Sequence, residues 1–492
     1  MKQCTLSVLF LLHLSTAWAN DIFVSNAQTL RRNLSTGTTT LSFDLTWSNS
    51  WRIEGGADNH DAAWVFIKYR AGNSGWQHLT LKGVDSQPTG AQIDLSADTR
   101  GAFIYRSAPG FGTSTFNDIV LVWDDAADNL PKGAVVTLKV FAVEMVYVPE
   151  GPFSLGSNGG LTSEFYRVTS EAAQRTPYRV TSAESIPVGT AVGNLYYATS
   201  QFSGDQAGPI PAAYPKGYRA FYCMKYEVSQ RQYRDFFNTL TATQQDTLGL
   251  RIFDAKASQG EVNRNGLAWT AGNEATTTLP DIPMNFVMTA TINAYLDWSG
   301  LRPMTELEYE KAGRGPVAPV AGERAWGTAA NLSARFLLAN VDTPNEQVTN
   351  ARDTIGAGSA SYIRTSPANA NTNGPLRCGI FAANSQSLRR AEAGASFYGI
   401  LELSGNLYES IVTVGTLAGR SFVAQHGDGQ LTPNGFANEA SWTNGGAAQG
   451  ARGGSYGTGA ADMALSSRIY PVINHLAQGV VGFRGVRSYP AN

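Results

Sequence analysis

Cysteine and histidine are scarce in this chain, with three and five respectively among 492 residues. His60, His78, His426 and His475 stand apart, with no partner at i+2 or i+4 and no second cysteine beside any of them. Zinc- or iron-ligand spacing is therefore absent. Charge is thin as well, at 15% of residues with a net charge of −2. That excludes a basic nucleic-acid surface and a basic membrane-surface protein. No phosphate-cradling glycine loop precedes a helix, and no GxSxG elbow occurs. Beyond the first twenty residues, no apolar run approaches the roughly 18 residues that a spanning helix needs.

What is present is glycine, at 51 residues, and an aromatic content of 11%. This fits a loop-rich, well-packed exterior protein better than a helical bundle or a disordered chain. Met1 and Lys2, the apolar run Leu6–Leu14 and the small-residue ending Ser15–Ala19 predict a secretory leader cut after Ala19. Cys4 precedes the apolar run and is not placed for lipidation. The expected location is outside the cytoplasm: secreted, periplasmic or at the cell surface. The remaining length exceeds one ordinary core, so two or more folded parts are expected.

Residues 20–143 read as an all-β, sandwich-like domain. Ser42–Trp47 alternates apolar Phe43, Leu45 and Trp47 with polar neighbours, as a half-buried strand does. Trp64–Tyr69, Ile119–Trp123 and Ala134–Val143 are β-branched and aromatic runs bounded by turn formers. Trp47, Trp51, Trp64, Trp76 and Trp123 favour core packing over a sugar-binding platform, because most lie inside strand runs.

From Met145 the texture changes. Gln230–Leu240 places Tyr233, Phe236, Phe237 and Leu240 on one helical face, and Thr289–Trp298 is a second helix. Thr305 followed by Glu308 is a capping box that opens a third. Residues 157–217 lack periodicity and read as an insertion. His426–Gly429 (HGDG) with Asn434–Gly435 suggests an ion or sugar site, but these dipeptides are above all turn formers. Cys223 and Cys378 sit in apolar, strand-like runs, and the sequence leaves open a disulfide or two buried thiols.

Seven blocks in order then carry a resemblance: Met145–Gly156 (MVYVPEGPFSLG), Phe221–Tyr233 (FYCMKYEVSQRQY), Pro283–Gly315, Arg324–Gly327 (RAWG), Tyr398–Glu409 (YGILELSGNLYE), Arg452–Tyr456 (RGGSY) and Gly482–Arg484 (GFR). The chain resembles the formylglycine-generating-enzyme, or sulfatase-modifying factor, family over residues 144–489. The resemblance implies a loop-rich, C-type-lectin-like fold for this part, so that with the β-sandwich-like domain before it the chain is α+β. In the oxidase members two cysteines bind copper and activate oxygen to turn a sulfatase cysteine into formylglycine. Those positions, counted from the retained Ser455, hold Thr458 and Met463 here. Soft thiolates are what Cu(I) demands, and a methionine is only a weak substitute. The family's iron branch draws ligands from a histidine-bearing helical domain, where this chain has a β-domain.

The resemblance further implies a structural Ca²⁺ held by Glu402, Gly405, Leu407 and Glu409, of which Glu402 is longer than the usual Asn or Asp. No copper is expected. The leading expectation is an exported, non-catalytic recognition or assembly protein with a protein or glycan partner, contacted through the cleft and the loop Gly457–Val481. The alternative is a metal-dependent oxidase using other residues of the same cleft.

Overall fold

The computed structural model describes residues 21–489 apart from 57, 162, 172–174, 199–203, 250–261, 332–334, 351–357, 364–372, 385–388 and 474–477. The expected leader, Cys4 and His475 lie outside the described residues. The chain is mostly sheet with few helices. Among the described residues no helix is long and apolar enough to cross a membrane.

The strands Phe23–Asn33, Thr38–Arg52, Gly110–Trp123 and Leu81–Ser86 form one antiparallel sheet in that order. A second, larger sheet runs Arg302–Pro303, Gly485–Ser488, Phe221–Met224, Val136–Val148, Asp61–Ala71, Ala102–Arg106 and Ala91–Leu95. Val136–Val148 is its hinge piece. It pairs with Asp61–Ala71 along one edge, and its last four residues pair with Phe221–Met224 along the other. The boundary expected at 143/144 falls inside this strand.

Strand alternation explains why Asp61–Ala71 reads as nearly continuous apolar sequence. Side chains of successive residues point to opposite faces. Ala63, Val65, Ile67 and Tyr69 pack with Phe43, Leu45, Trp47, Leu121 and Trp123 of the four-stranded sheet. Ala62, Trp64 and Phe66 instead join a core with Phe236, Tyr295 and Trp298 from the helices. Both faces are covered, so both sets must be apolar.

The helix Gln230–Phe237 is capped by Ser229 in a capping box with Gln232 and buries Tyr233, Phe236 and Phe237. Thr289–Trp298 is buried along its whole length. Glu306–Arg314 starts at the capping box of Thr305 and Glu308 that the sequence predicts.

Phe153–Leu155 pairs with Tyr178–Val180, inside the segment that reads as an insertion. That segment is no loose excursion, since Phe165, Val180, Leu195, Tyr197, Ile210 and Tyr214 are part of the main core. Trp47, Trp64 and Trp123 are fully buried. Trp51 lies under the Lys225 ammonium at 4.9 Å, and Trp76 lies between Arg70 and Lys139.

The two cysteines are free, buried thiols. Cys223 packs with Val146, Phe221 and Tyr309, whereas Cys378 packs with Tyr226, Ala395 and Leu401. The bridge left open by the sequence is thus not formed, because each thiol belongs to a separate cluster. Cys378 is not in a strand either; it precedes the short helix Ile380–Asn384.

Candidate functional site

The blocks scattered along the sequence meet through buried charge. Helix Glu306–Arg314 turns Glu306, Glu308 and Glu310 inward, all essentially unexposed. Glu308 takes both guanidinium nitrogens of Arg302 at 2.9 and 2.6 Å. Glu306 receives Arg468 at 2.7 Å and Arg452 at 3.3 Å. Glu310 receives Arg452 at 2.5 Å, Arg314 at 3.0 Å and the Gly156 N–H at 2.8 Å. Tyr309 donates to the Leu403 carbonyl at 2.6 Å, tying the helix to the Leu401–Glu409 turn. Removing one partner of such a pair typically costs roughly 3–5 kcal/mol, because the other charge is left buried alone.

This frame holds the turn and the expected catalytic positions side by side. Gly405 has φ +87° and donates to the Gly453 carbonyl, while the Tyr456 N–H donates to the Asn406 carbonyl. A Cβ on Gly405 would stand 3.4 Å from the Met463 sulfur. The Met463 side chain is fully buried, in a cluster with Trp326, Ala360 and Tyr362. Thr458 spends its hydroxyl locally: it accepts the Ser455 N–H at 2.9 Å and donates to the Ser455 carbonyl at 3.2 Å. The Ser455 hydroxyl accepts from the Gly457 N–H at 3.3 Å. Beside them Tyr408 donates to Asp462 at 3.0 Å and meets Tyr470 edge to face. The structure therefore brings Ser455, Thr458 and Met463 together with the turn, and the sulfur available there is a buried thioether.

Around Glu402–Glu409 carboxylates outnumber cations. Glu402 accepts the Gly379 N–H at 2.8 Å through one oxygen, and its second oxygen is buried without a partner. Glu409 meets Arg484 at 2.6 Å through one oxygen, and its other oxygen is likewise buried and unpartnered. Glu227, which sequence reasoning missed, accepts from the Asn406 side chain at 2.6 Å and the Leu407 N–H at 2.9 Å. Burial pushes the Glu402 carboxyl up to about 7 against the pull of Arg484. Burial, then the Glu409 charge, raises Glu227 well above the usual range. Glu409 is raised by burial too, with Arg484 opposing. Buried carboxylate oxygens without a partner, in surroundings short of positive charge, are of the ligand type that a hard cation such as Ca²⁺ takes. The signal that could have found Glu227 is an acid standing inside the apolar run FYCMKYEV.

A second place suits a cation by ligand type. Oxygens of Asp297, Asp428 and Glu439 lie within 4.8 Å of one another. Asp428 belongs to the HGDG segment, which only bends at Gly429 (φ +83°), the expected turn lying instead at 433–434; Asp297 accepts the Asp428 N–H at 3.1 Å and the Asn438 N–H at 3.0 Å. These bonds already satisfy much of the Asp297 carboxylate.

A sequence model described as the sulfatase-modifying factor enzyme 1-like domain matches residues 135–489. No curated protein shows a match.

Proposed function

Because the chain belongs to the sulfatase-modifying factor family, we propose that it uses the family scaffold for recognition or assembly outside the cytoplasm, and not for copper-dependent oxidation. One observation carries this reading: the two positions that need thiolates hold a hydroxyl engaged by its own turn and a fully buried thioether. The partner surface in this reading is the cleft beside Tyr408 and the loop Gly457–Val481, where Tyr470 is 44% exposed. A protein or glycan is the partner class. Export rests on the leader-like Met1–Ala19. The shared core of the two N-terminal sheets supports a sandwich for residues 20–143. A structural Ca²⁺ at Glu402, Gly405, Leu407 and Glu409 is part of the same proposal, supported by the orphaned oxygens of the two glutamates.

The purified chain, given copper, oxygen and a cysteine-bearing sulfatase peptide, should yield no formylglycine by mass spectrometry, whereas Thr458→Cys with Met463→Cys should gain tight Cu(I) binding. Conversion by the unaltered chain would end this reading. A photo-crosslinker at Tyr470 should capture a defined envelope partner that one at the more exposed Phe111 does not. Identical capture from both positions, or none, would remove the recognition surface.

A further inference from the structure

A cavity of about 580 Å³ lies beside residues 211–221, over Phe221, Arg302 and Ser488 of three neighbouring strands of the larger sheet. None of its lining residues belongs to the Ser455–Met463 region, to the loop 457–481 or to the Leu401–Glu409 turn. Its wall is reachable from solvent: Ala212, Ala213 and Arg219 are exposed, and Tyr218 and Tyr489 are half-exposed. The volume lies within the usual range of about 300–1,000 Å³ for small-molecule sites.

The wall carries more unspent positive charge than negative. Arg302 and Glu308 cancel each other through their paired bonds at 2.9 and 2.6 Å. Lys216, 3% exposed, donates to the carbonyls of Ala183, Pro211, Ala212 and Tyr214 at 2.5–3.2 Å, and none of these partners is a carboxylate. Arg219 has no hydrogen bond or ion pair among the described residues. Burial lowers the Lys216 pKa to about 8, with Glu184 opposing and the Arg219 charge adding to the fall. The two cations therefore repel each other, and an anion seated beside Arg219 relieves both. Glu150, the other acid of the wall, is exposed and also lies in the field of the Lys311 ammonium.

A cleft with an excess of one sign and low-dielectric walls concentrates that field inside it. A carboxylate matches the guanidinium fork with two parallel bonds. The half-exposed rings of Tyr218 and Tyr489 give the rest of such a ligand apolar surface to lie on.

We propose that this cavity binds a small organic carboxylate with an apolar body, the carboxylate on Arg219 within the field of Lys216 and the body against Tyr218 and Tyr489. The inference is independent of the recognition surface proposed above.

Benzoate and benzamide share a ring and nearly a shape, and differ in charge. Calorimetric titration of the full chain should show saturable one-to-one binding of benzoate, about tenfold tighter than benzamide. Arg219→Gln removes the charge from a side chain that has no partner in the fold to lose, and should bring the two probes to near-equal affinity. Ala213→Trp fills the cavity from its exposed side with Arg219 intact, and should abolish binding of both. No saturable binding of benzoate to the unaltered chain overturns the proposal. Equal affinity of the two probes there does so too, as does a preference that survives Arg219→Gln or binding that survives Ala213→Trp.

Discussion

His60 is stacked between Tyr105 at 4.3 Å and Tyr147 at 5.0 Å, and its Nε2 lies 3.0 Å from the Tyr222 hydroxyl. Burial, with the Arg52 charge adding to it, lowers its pKa from 6.5 to about 3. A histidine with a depressed folded pKa binds its proton in the unfolded chain first. Its contribution to stability is complete above pH 6.5 and is lost progressively as pH falls towards 3. His78 and His426 are shifted in the same direction, again mainly by burial, so acid lability has several sources. His60→Phe preserves the stacking and removes one titrating site. Between pH 6.5 and 3 its urea-unfolding free energy should fall less steeply than that of the unaltered chain, by up to about 1.4 kcal/mol per pH unit. Identical pH slopes for the two proteins would show that His60 is not held neutral. None of this was legible in the sequence, where His60 is a lone histidine in a polar stretch; its neutrality is created by rings 45, 87 and 162 residues away along the chain.

At the scale of elements, local signals are legible in the sequence and long-range ones are not. The capping box at Thr305 and Glu308 needs only four consecutive residues to form, and its hydrogen bonds are as expected at 3.0 and 3.1 Å. The strands at 42–47, 64–69 and 119–123 are likewise carried by their own alternation. By contrast, nothing near Glu310 announces Arg452, its partner across 142 residues. The Leu401–Glu409 turn shows the same division: Glu402 and Glu409 are visible as a spaced pair, but Glu227 and Arg484 join them only in the fold. The calcium proposal is tested on this element. Melting should shift down with EDTA and recover with added Ca²⁺, by about 2.7 kcal/mol at a hundredfold excess over the dissociation constant. Glu402→Gln keeps an oxygen for the Gly379 N–H and removes the charge, so the variant should lose that response. A melting midpoint indifferent to EDTA and to Ca²⁺ in the unaltered chain would exclude the ion.

Across the whole molecule, the change of texture at Met145 is legible, yet it falls inside one strand that pairs on both sides. Composition reports what a segment is made of, while the second face of a sheet is covered by residues that are distant in sequence. Val136–Val148 is hydrogen-bonded from Val136↔Ala71 to Val146↔Asp61 on one side and from Met145↔Met224 to Val148↔Phe221 on the other. The contact between the two parts is specific as well as apolar. The Trp64 indole donates to the Ser299 carbonyl at 2.8 Å beneath the Arg487 guanidinium, and the Asn59 side chain donates to the Tyr398 carbonyl at 2.7 Å. Lys225, fully buried, is held by Glu144 at 2.8 Å and Asp61 at 3.4 Å. A fragment beginning at residue 144 would lose Asp61, bare the aromatic faces of Phe141 and Phe66's partners, and leave the start of its own sheet with an open edge, an arrangement prone to aggregation. It should therefore be insoluble or lack near-ultraviolet dichroism, while the full chain unfolds in one calorimetric transition. Trp64→Ala in the full chain offers a milder version, with an expected loss of roughly 3–5 kcal/mol for a large aromatic removed from a packed core. A soluble 144–492 fragment that melts at the same temperature as the full chain would show that the C-terminal part carries its own stability, and the shared strand would then be a contact between two independent folds.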